Sequence, residues 1–224
     1  MSRILPILCL ILVLAGCSGG LRGLPPRNLQ SATTLVVFCD GFHSGLLVDR
    51  QVLPERLNPK VPGPADAGVR RSLHFGEEQW TTGADVTWPH ACRLAFVPGR
   101  GVIQSDVSAA ETCDVPGLDR KRLVFWRFPV SQTGVDALML RLQTEWIPKD
   151  SLQVMLSPDI PTTLFTTGRD WSIYDNCHDF TADLLIAAGL HLPRHSIARA
   201  GILSADLDQA VADLAQGGIR VIGP

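Results

Sequence analysis

The chain has 224 residues, with 20 basic and 22 acidic side chains and a formal net charge of −2. This balance, without a basic stripe, excludes the electrostatic footprint of a nucleic-acid-binding protein. Hydrophobic residues make up 46% of the chain, which is enough for one sizeable buried core.

The N-terminus has the composition of a secretion signal. Arg3 precedes an apolar stretch from Ile4 to Leu14, which is shorter than the ~18 to 20 residues that span a bilayer, so a retained transmembrane helix is the weaker interpretation. Residues Leu14–Cys17 read Leu-Ala-Gly-Cys and resemble the bacterial lipobox, in which cleavage before the cysteine follows its diacylation. We therefore expect a signal peptide over residues 1–16 and fatty acyl chains, typically palmitate, on Cys17.

This N-terminus also predicts a location. In the Gram-negative lipoproteins that the chain resembles, Asp after the acylated cysteine signals inner-membrane retention, so Ser18 favours the outer membrane, facing the periplasm. Residues 17–32 are rich in Gly, Pro, Ser and Asn and predict a flexible tether. A single domain is then expected over residues 33–224. Its only expected membrane contact is through the lipid on Cys17.

Most of the predicted strands are short apolar or β-branched runs separated by Gly, Pro and Asp. Residues 54–70 are rich in Pro, Gly and charge and predict an excursion between two strands. The predicted strands are Thr34–Phe38, His43–Val48, Arg71–Phe75, Arg93–Val97, Val102–Gln104 and Arg122–Phe128.

Helical periodicity dominates the second half of the chain. It predicts helices over Gln132–Trp146, Asn176–Ala188 and Ser204–Gln216, the last capped by Ser204, and a final strand over Ile219–Ile222. Strands with interspersed helices and an antiparallel-looking middle indicate an α+β domain.

Cys177 is the first candidate for chemistry. It shares one helical face with Phe180, Leu184 and Ala188, so its thiol is expected to point inward at the first turn of its helix. The helix dipole and the backbone N–H groups there favour a thiolate and a lowered pKa. A buried structural cysteine is the alternative, because free Cys is among the most buried residue types.

A cysteine nucleophile needs a base supplied by distant sequence. His43 stands at the head of a predicted strand in His43-Ser44-Gly45-Leu46, and a second histidine lies in Leu73-His74-Phe75-Gly76. Either could also be an ordinary structural or surface residue.

Together these segments resemble the permuted papain-like (NlpC-type) thiol hydrolases, including the lecithin retinol acyltransferase and PPPDE families. In those families a His-x-Gly-aliphatic strand precedes an Asn-Cys-x-x-Phe helix start, which Asn176–Phe180 matches here. The layout is closest to a bacterial family of secreted proteins and lipoproteins of unknown function. The resemblance covers roughly residues 35–190 and implies a permuted papain-like fold.

The resemblance also implies roles. Cys177 would be the nucleophile, His43 the general base, and His74 or Glu77 the third polar residue, with His74 preferred. The long insertion between His43 and His74 departs from the family pattern. The implied activity is a thiol hydrolase or acyltransferase acting on a cell-wall peptide, a protein amide or a lipid ester. The alternative is a non-catalytic envelope protein that uses the same cleft for binding.

Four cysteines remain in the expected mature domain besides Cys17. Past the inner membrane the compartment is oxidising, so pairing is possible. We expect a disulfide between Cys92 and Cys113, which lie 21 positions apart, and a free Cys177. Adjacent Cys177 and His178 lack the ligand spacing of a zinc site, and no glycine-rich phosphate loop is present. No metal and no cofactor is therefore expected.

Overall fold

The computed structural model describes residues 33–57, 70–82, 87–108, 120–147, 153–155, 162–192, 200–213 and 219–222. The expected signal peptide over residues 1–16 and the tether over residues 17–32 lie outside the described residues and remain predictions.

The described strands belong to one sheet in which every neighbouring pair is antiparallel. Its order is β7-β8-β4-β3-β2-β1-β6-β9, with the short β5 paired to β3. The strands are β1 Thr33–Cys39, β2 Ser44–Asp49, β3 Arg70–Glu77, β4 Gly99–Ser105, β5 Val107–Ser108, β6 Val124–Val130, β7 Gln153–Met155, β8 Thr163–Trp171 and β9 Ile219–Ile222.

Helices pack on this sheet, so the domain is α+β, as the sequence predicts. One π-helical turn, Leu142–Trp146, continues α3, and three 3-10 turns join other elements. The α-helices are α1 Glu78–Thr81, α2 Trp88–Leu94, α3 Gln132–Arg141, α4 Cys177–Ala187 and α5 Ala200–Asp213.

The sequence predicts most of these elements to within a few residues. The predicted strand over Arg93–Val97 is wrong, because Arg93 lies in α2 and the chain then turns through Val97. Pro89 occupies the first turn of α2, where its missing N–H costs nothing, and it was the overlooked signal for this helix. The sequence analysis also did not predict β8, α1 or the short β7. Ser204 lies inside α5, which begins at Ala200.

The two faces of the sheet carry different residues of each strand. In β1, Leu35, Val37 and Cys39 belong to the main core, which includes residues of α3, α4 and α5. Val36 and Phe38 belong to a separate apolar cluster. Because successive side chains of a strand point to opposite faces, this division fixes which residues of β2 and β3 can meet α4.

One end of the sheet collects the segments that matter for function. At this end β1, β3 and β8 finish while β2 and β4 begin. The Asp40–His43 turn joins β1 to β2 there, and α4 begins at Cys177 shortly after β8 finishes at Trp171. The antiparallel topology therefore brings His43 and Cys177, 134 positions apart in the sequence, to the same end of the domain.

Candidate functional site

A capping box defines the start of α4. The Asn176 side chain accepts a hydrogen bond from the His178 backbone N–H at 2.8 Å. In return, Asp179 accepts the Asn176 backbone N–H at 3.3 Å. These reciprocal bonds satisfy N–H groups that an α-helix leaves unpaired at its start. Cys177 is consequently held as the first residue of the helix.

Ser44 of β2 fixes the start of α4 to the sheet. Its hydroxyl oxygen lies 3.1 Å from the Cys177 carbonyl oxygen, 2.8 Å from His178 Nδ1 and 3.1 Å from Thr181 Oγ1. Ser44 is fully buried, and Thr181 also donates to the Cys177 carbonyl at 2.7 Å. This buried polar network holds the first turn of α4 in one position over β2.

The Cys177 thiol is almost completely buried, with 7% of the residue exposed. Its sulfur lies 3.8 Å from the Phe42 carbonyl oxygen and 3.9 Å from His178 Nδ1. The thiol therefore contacts the carbonyl of the residue directly before His43. The structure brings the cysteine to the turn that carries the predicted base.

Burial raises the pKa of the Cys177 thiol to about 12. Hydrogen bonds from Ser44 and from the Cys177 backbone lower this pKa in part, and the nearby Cys39 raises it further. The sequence-based expectation of a lowered pKa is thus wrong for this structure. Removing water destabilises the thiolate more than the helix dipole and the hydrogen bonds at the helix start stabilise it. The resting site holds a neutral thiol.

His43 is paired with Asp40 within the turn. Asp40 Oδ2 lies 3.2 Å from His43 Nδ1, and Asp40 Oδ1 accepts the backbone N–H groups of Phe42 and His43 at 2.8 and 2.7 Å. Asp40 is 1% exposed, whereas the His43 side chain is 52% exposed. A buried carboxylate therefore orients an accessible imidazole, although that imidazole has no hydrogen bond to Cys177 in this structure.

His178 is the imidazole with a direct contact to the sulfur, and the sequence analysis did not propose it. Burial lowers its pKa to about 4, and the nearby His43 lowers it further. Proton transfer from Cys177 to His178 is unfavourable, because burial raises the pKa of the donor thiol and lowers the pKa of the acceptor imidazole. His178 is consequently a neutral structural partner of Ser44 rather than a strong base.

His74 is not brought to the thiol. Gly45 lies opposite Phe38, and a side chain built on Gly45 would meet Phe38 and the Cβ of His74. His74 thus shares the face of Phe38, whereas Ser44 and α4 lie on the other face. The His74 ring packs on Phe38, and its Nε2 lies 3.6 Å from Asp106 Oδ2.

Glu77, the other candidate for the third position, is buried and serves the neighbouring helices. Its carboxylate accepts the Trp80 backbone N–H at 3.0 Å, which caps α1, and lies 3.3 Å from Nε2 of His90 in α2. Only 3% of Glu77 is exposed. Neither candidate for the third position contacts Cys177 or His43.

Asp40 and Ser44 are the residues that the sequence analysis missed. Their signals were present, because Asp before Gly in a turn commonly accepts backbone N–H groups two and three residues later. Ser44 follows His43 and alternates with Gly45, so it had to occupy the opposite face from that glycine. Which face meets α4 was the missing information.

Two exposed aromatic residues lie in the segments next to Cys177. Phe42, in the turn, is 67% exposed and Tyr174, before α4, is 69% exposed. Trp171, the last residue of β8, packs edge to face on Trp80 with ring centroids 5.8 Å apart.

Cys39, Cys92 and Cys177 are free thiols in the structure. The expected Cys92–Cys113 disulfide is therefore absent. Cys92 is exposed on α2, and Cys113 lies outside the described residues. The expectation that Cys177 stays free is confirmed.

Within the described part of the chain, no cluster of three or more His, Cys, Asp or Glu side chains could hold a metal ion. Among the described helices, none has the length and apolar character needed to cross a membrane.

Comparisons with known protein families, with curated proteins and with solved structures give no match to this chain.

Proposed function

We propose that this protein is a thiol hydrolase or acyltransferase that forms an acyl-enzyme on Cys177, with a permuted papain-like fold. The observation that carries the proposal is the contact between the Cys177 sulfur and the turn that bears the Asp40–His43 pair. A nucleophile at a helix start, a histidine and an orienting carboxylate are the three parts of a catalytic triad.

Asp40 takes the third position in this proposal, in place of His74 or Glu77. With its Nδ1 held by Asp40, His43 keeps the Nδ1–H tautomer and has Nε2 free to accept a proton. The imidazole is 52% exposed and has no hydrogen bond to Cys177 at rest, so proton transfer requires Nε2 to approach the sulfur while Nδ1 stays on Asp40. Because the thiol is neutral at rest, His43 removes its proton as the sulfur attacks, and a preformed thiolate is not required.

The attacked carbonyl belongs to an amide or ester. Its carbon bonds to the Cys177 sulfur, and the Cys177 backbone N–H, which the capping box does not use, stabilises the oxyanion. The protonated His43 then gives its proton to the leaving amine or alcohol. Water, or a second acyl acceptor in an acyltransferase, releases the acyl group from Cys177. The exposed rings of Phe42 and Tyr174 favour a substrate with apolar groups beside the scissile bond.

The acyl-enzyme is the test of this function. The purified chain is incubated with a panel of activated acyl esters and short peptide amides, and Cys177 peptides are analysed by mass spectrometry. Acylation of Cys177 that is lost in Cys177→Ser, with turnover lost in His43→Ala, supports the proposal. Turnover unchanged in Cys177→Ser would exclude it. Cys92→Ser, at an exposed thiol on α2, is the matched control.

The second candidate is a non-catalytic binding protein with the same fold. The burial of Cys177 and its raised pKa favour this candidate, because both make the sulfur a weaker nucleophile. No acyl adduct with any substrate class, together with saturable binding of an unreactive peptide or lipid analogue, would establish it.

The cellular setting is also a proposal. The sequence of residues 14–17 places acyl chains on Cys17, which tether the domain to the outer membrane on the periplasmic side. Mass spectrometry of the mature N-terminus should find the acylated cysteine. A Cys17→Ala variant that is processed normally and stays membrane-bound would contradict it.

A further inference from the structure

Two buried free thiols, Cys39 and Cys177, lie at the site end of the sheet and on the same face of it. Cys39, the last residue of β1, is 2% exposed and lies directly opposite Ser44 in the β1–β2 ladder. Directly opposed residues of an antiparallel pair share one face, with Cβ atoms about 4.5 to 5.5 Å apart. Cys39 therefore projects to the same face as Ser44, towards α4.

Ser44 connects this position to the proposed nucleophile. Its hydroxyl lies 3.1 Å from the carbonyl oxygen of Cys177, so the two cysteines flank the same serine, one across the sheet and one above it. Cys39 belongs to the core cluster that includes Phe180 of α4. The nearby Cys39 also raises the pKa of Cys177, which agrees with this proximity.

We propose that Cys39 is the resolving thiol for oxidised Cys177, so that hydroperoxides convert the pair reversibly into a Cys39–Cys177 disulfide. This inference rests on Cys177 being the reactive thiol of the proposed function. Among the described residues, the side-chain polar contact of Cys39 is Ser204 Oγ at 4.0 Å, which is too long for a strong hydrogen bond.

The chemistry balances with one equivalent of hydroperoxide. The thiolate form of Cys177 attacks the peroxide oxygen, the O–O bond breaks, and an alcohol or water leaves as Cys177 becomes a sulfenic acid. Because burial raises the pKa of this thiol, the oxidation is slow at neutral pH and faster as the pH rises. The Cys39 sulfur then attacks the sulfenic sulfur, the S–O bond breaks, and water leaves as the disulfide forms. Each thiol loses one hydrogen, and the pair loses two electrons to the peroxide.

A resolving thiol would protect the site. A sulfenic acid without a partner is oxidised further to sulfinic acid, which thiol reductants do not reverse. A disulfide to Cys39 stops at the reversible stage and blocks the nucleophile. The enzyme would be inactive under oxidative stress and would recover its activity when the disulfide is reduced.

The test treats the full chain with hydrogen peroxide and maps its cysteines by mass spectrometry before and after reduction with dithiothreitol. The wild type should yield a linked pair of peptides containing Cys39 and Cys177, and reduction should restore nearly all of the free Cys177 thiol. In Cys39→Ser and Cys39→Ala, Cys177 should instead accumulate sulfinic acid that dithiothreitol does not remove. Cys92→Ser should behave as the wild type. Thermal unfolding before treatment verifies that the two Cys39 variants are folded.

Two results would overturn the inference. One is a wild type whose Cys177 becomes sulfinic acid as fast as in Cys39→Ser, without a linked peptide. The other is a bridge from Cys177 to Cys92 or Cys113 instead of Cys39. The mass readout does not depend on substrate turnover. A Cys177→Ser variant that keeps full activity would therefore refute the proposed function alone, while the linked peptides would still decide the redox pair.

Discussion

The Asp40 carboxylate lies 3.2 Å from His43 Nδ1 and also accepts the backbone N–H groups of Phe42 and His43. One buried acid thus shapes the turn between β1 and β2 and orients the imidazole at its tip. The arrangement assigns Asp40 two separable roles, because its backbone bonds need only an acceptor, whereas stabilising an imidazolium needs a negative charge.

Asp40→Asn should separate these roles. The amide oxygen can still accept the backbone N–H groups of the turn, so we expect thermal stability close to that of the wild type. Loss of the charge should lower acyl-enzyme turnover by a factor of about 10² to 10⁴, the range that general-base catalysis contributes. Steady-state kcat and KM measure the effect, with Asp136→Asn on α3 as control. An unchanged kcat in Asp40→Asn would remove Asp40 from the mechanism.

His74→Ala should leave the site unaffected and weaken the fold. Burial alone would raise the pKa of Asp106, but contact with His74 and hydrogen bonds from Thr162 and Gln104 lower it overall. Removing the imidazole leaves this buried carboxylate with fewer partners, at a cost of about 1–3 kcal/mol. Urea unfolding should show the loss, while acylation of Cys177 in the folded variant stays within twofold of the wild type. A turnover defect in folded His74→Ala would show that His74 does contribute to the reaction at Cys177.

The contrast between His74 and Asp40 shows what the sequence could and could not reveal. The strand containing His74 was predictable from Arg71–Phe75, and α4 was predictable from its apolar periodicity and its glycine stop. The face on which His74 lies depends on the register of β3 against β2, in which Leu73 pairs with Leu46. A shift of one residue would have placed His74 on the face of α4. The excursion over residues 54–70 separates the two strands, so no short turn reveals that register.

The other differences between the predicted and the observed structure concern β8 and the pKa of Cys177. The run Thr163–Trp171 contains three threonines, a glycine and charged residues, a mixed composition that hides the strand β8. Of its two pairing partners, β4 is far away in the sequence and β7 is only three residues long. The pKa of Cys177 was unpredictable for a related reason. The helix start is visible in the sequence, but the burial that outweighs it comes from the packing of the turn and β2 against the thiol.

Cys177 should react slowly with iodoacetamide at neutral pH. Burial raises the pKa of the Cys177 thiol to about 12. The alkylation rate should therefore keep rising well above a pH of about 8.5, which is the usual pKa of a free thiol. Exposed Cys92 is the internal control in the same sample. Rates are followed by mass spectrometry of the two peptides. A Cys177 midpoint at or below that of Cys92 would mean that the thiol is activated without substrate.

The stability of the domain should fall as the pH falls from about 6.5 to about 4. Burial lowers the pKa of His178 to about 4 from its ordinary value of 6.5, so the unfolded chain binds a proton in this range that the folded chain excludes. The shift corresponds to about 3 kcal/mol of stability lost on acidification. Urea unfolding of the wild type and of His178→Gln at several pH values isolates this contribution. His191→Gln, at an exposed position after α4, is the control. Parallel pH profiles for the wild type and His178→Gln would contradict the prediction.

Gly45 should be irreplaceable within the His43-Ser44-Gly45 motif. A Cβ at this position would lie 2.5 Å from the Leu73 carbonyl oxygen, 2.6 Å from the Phe38 ring and 2.8 Å from the His74 Cβ. These atoms belong to two neighbouring strands and cannot retreat without displacing β2, which also carries Ser44 against α4. Gly45→Ala should therefore destabilise the fold by about 1–3 kcal/mol, the usual cost of overpacking. Gly168→Ala in β8 is the matched control, because a Cβ there meets nothing within 4 Å. The urea midpoints of the two variants are measured side by side, and that of Gly45→Ala should be the lower. Equal stabilities would show that β2 and β3 are not packed as closely as described.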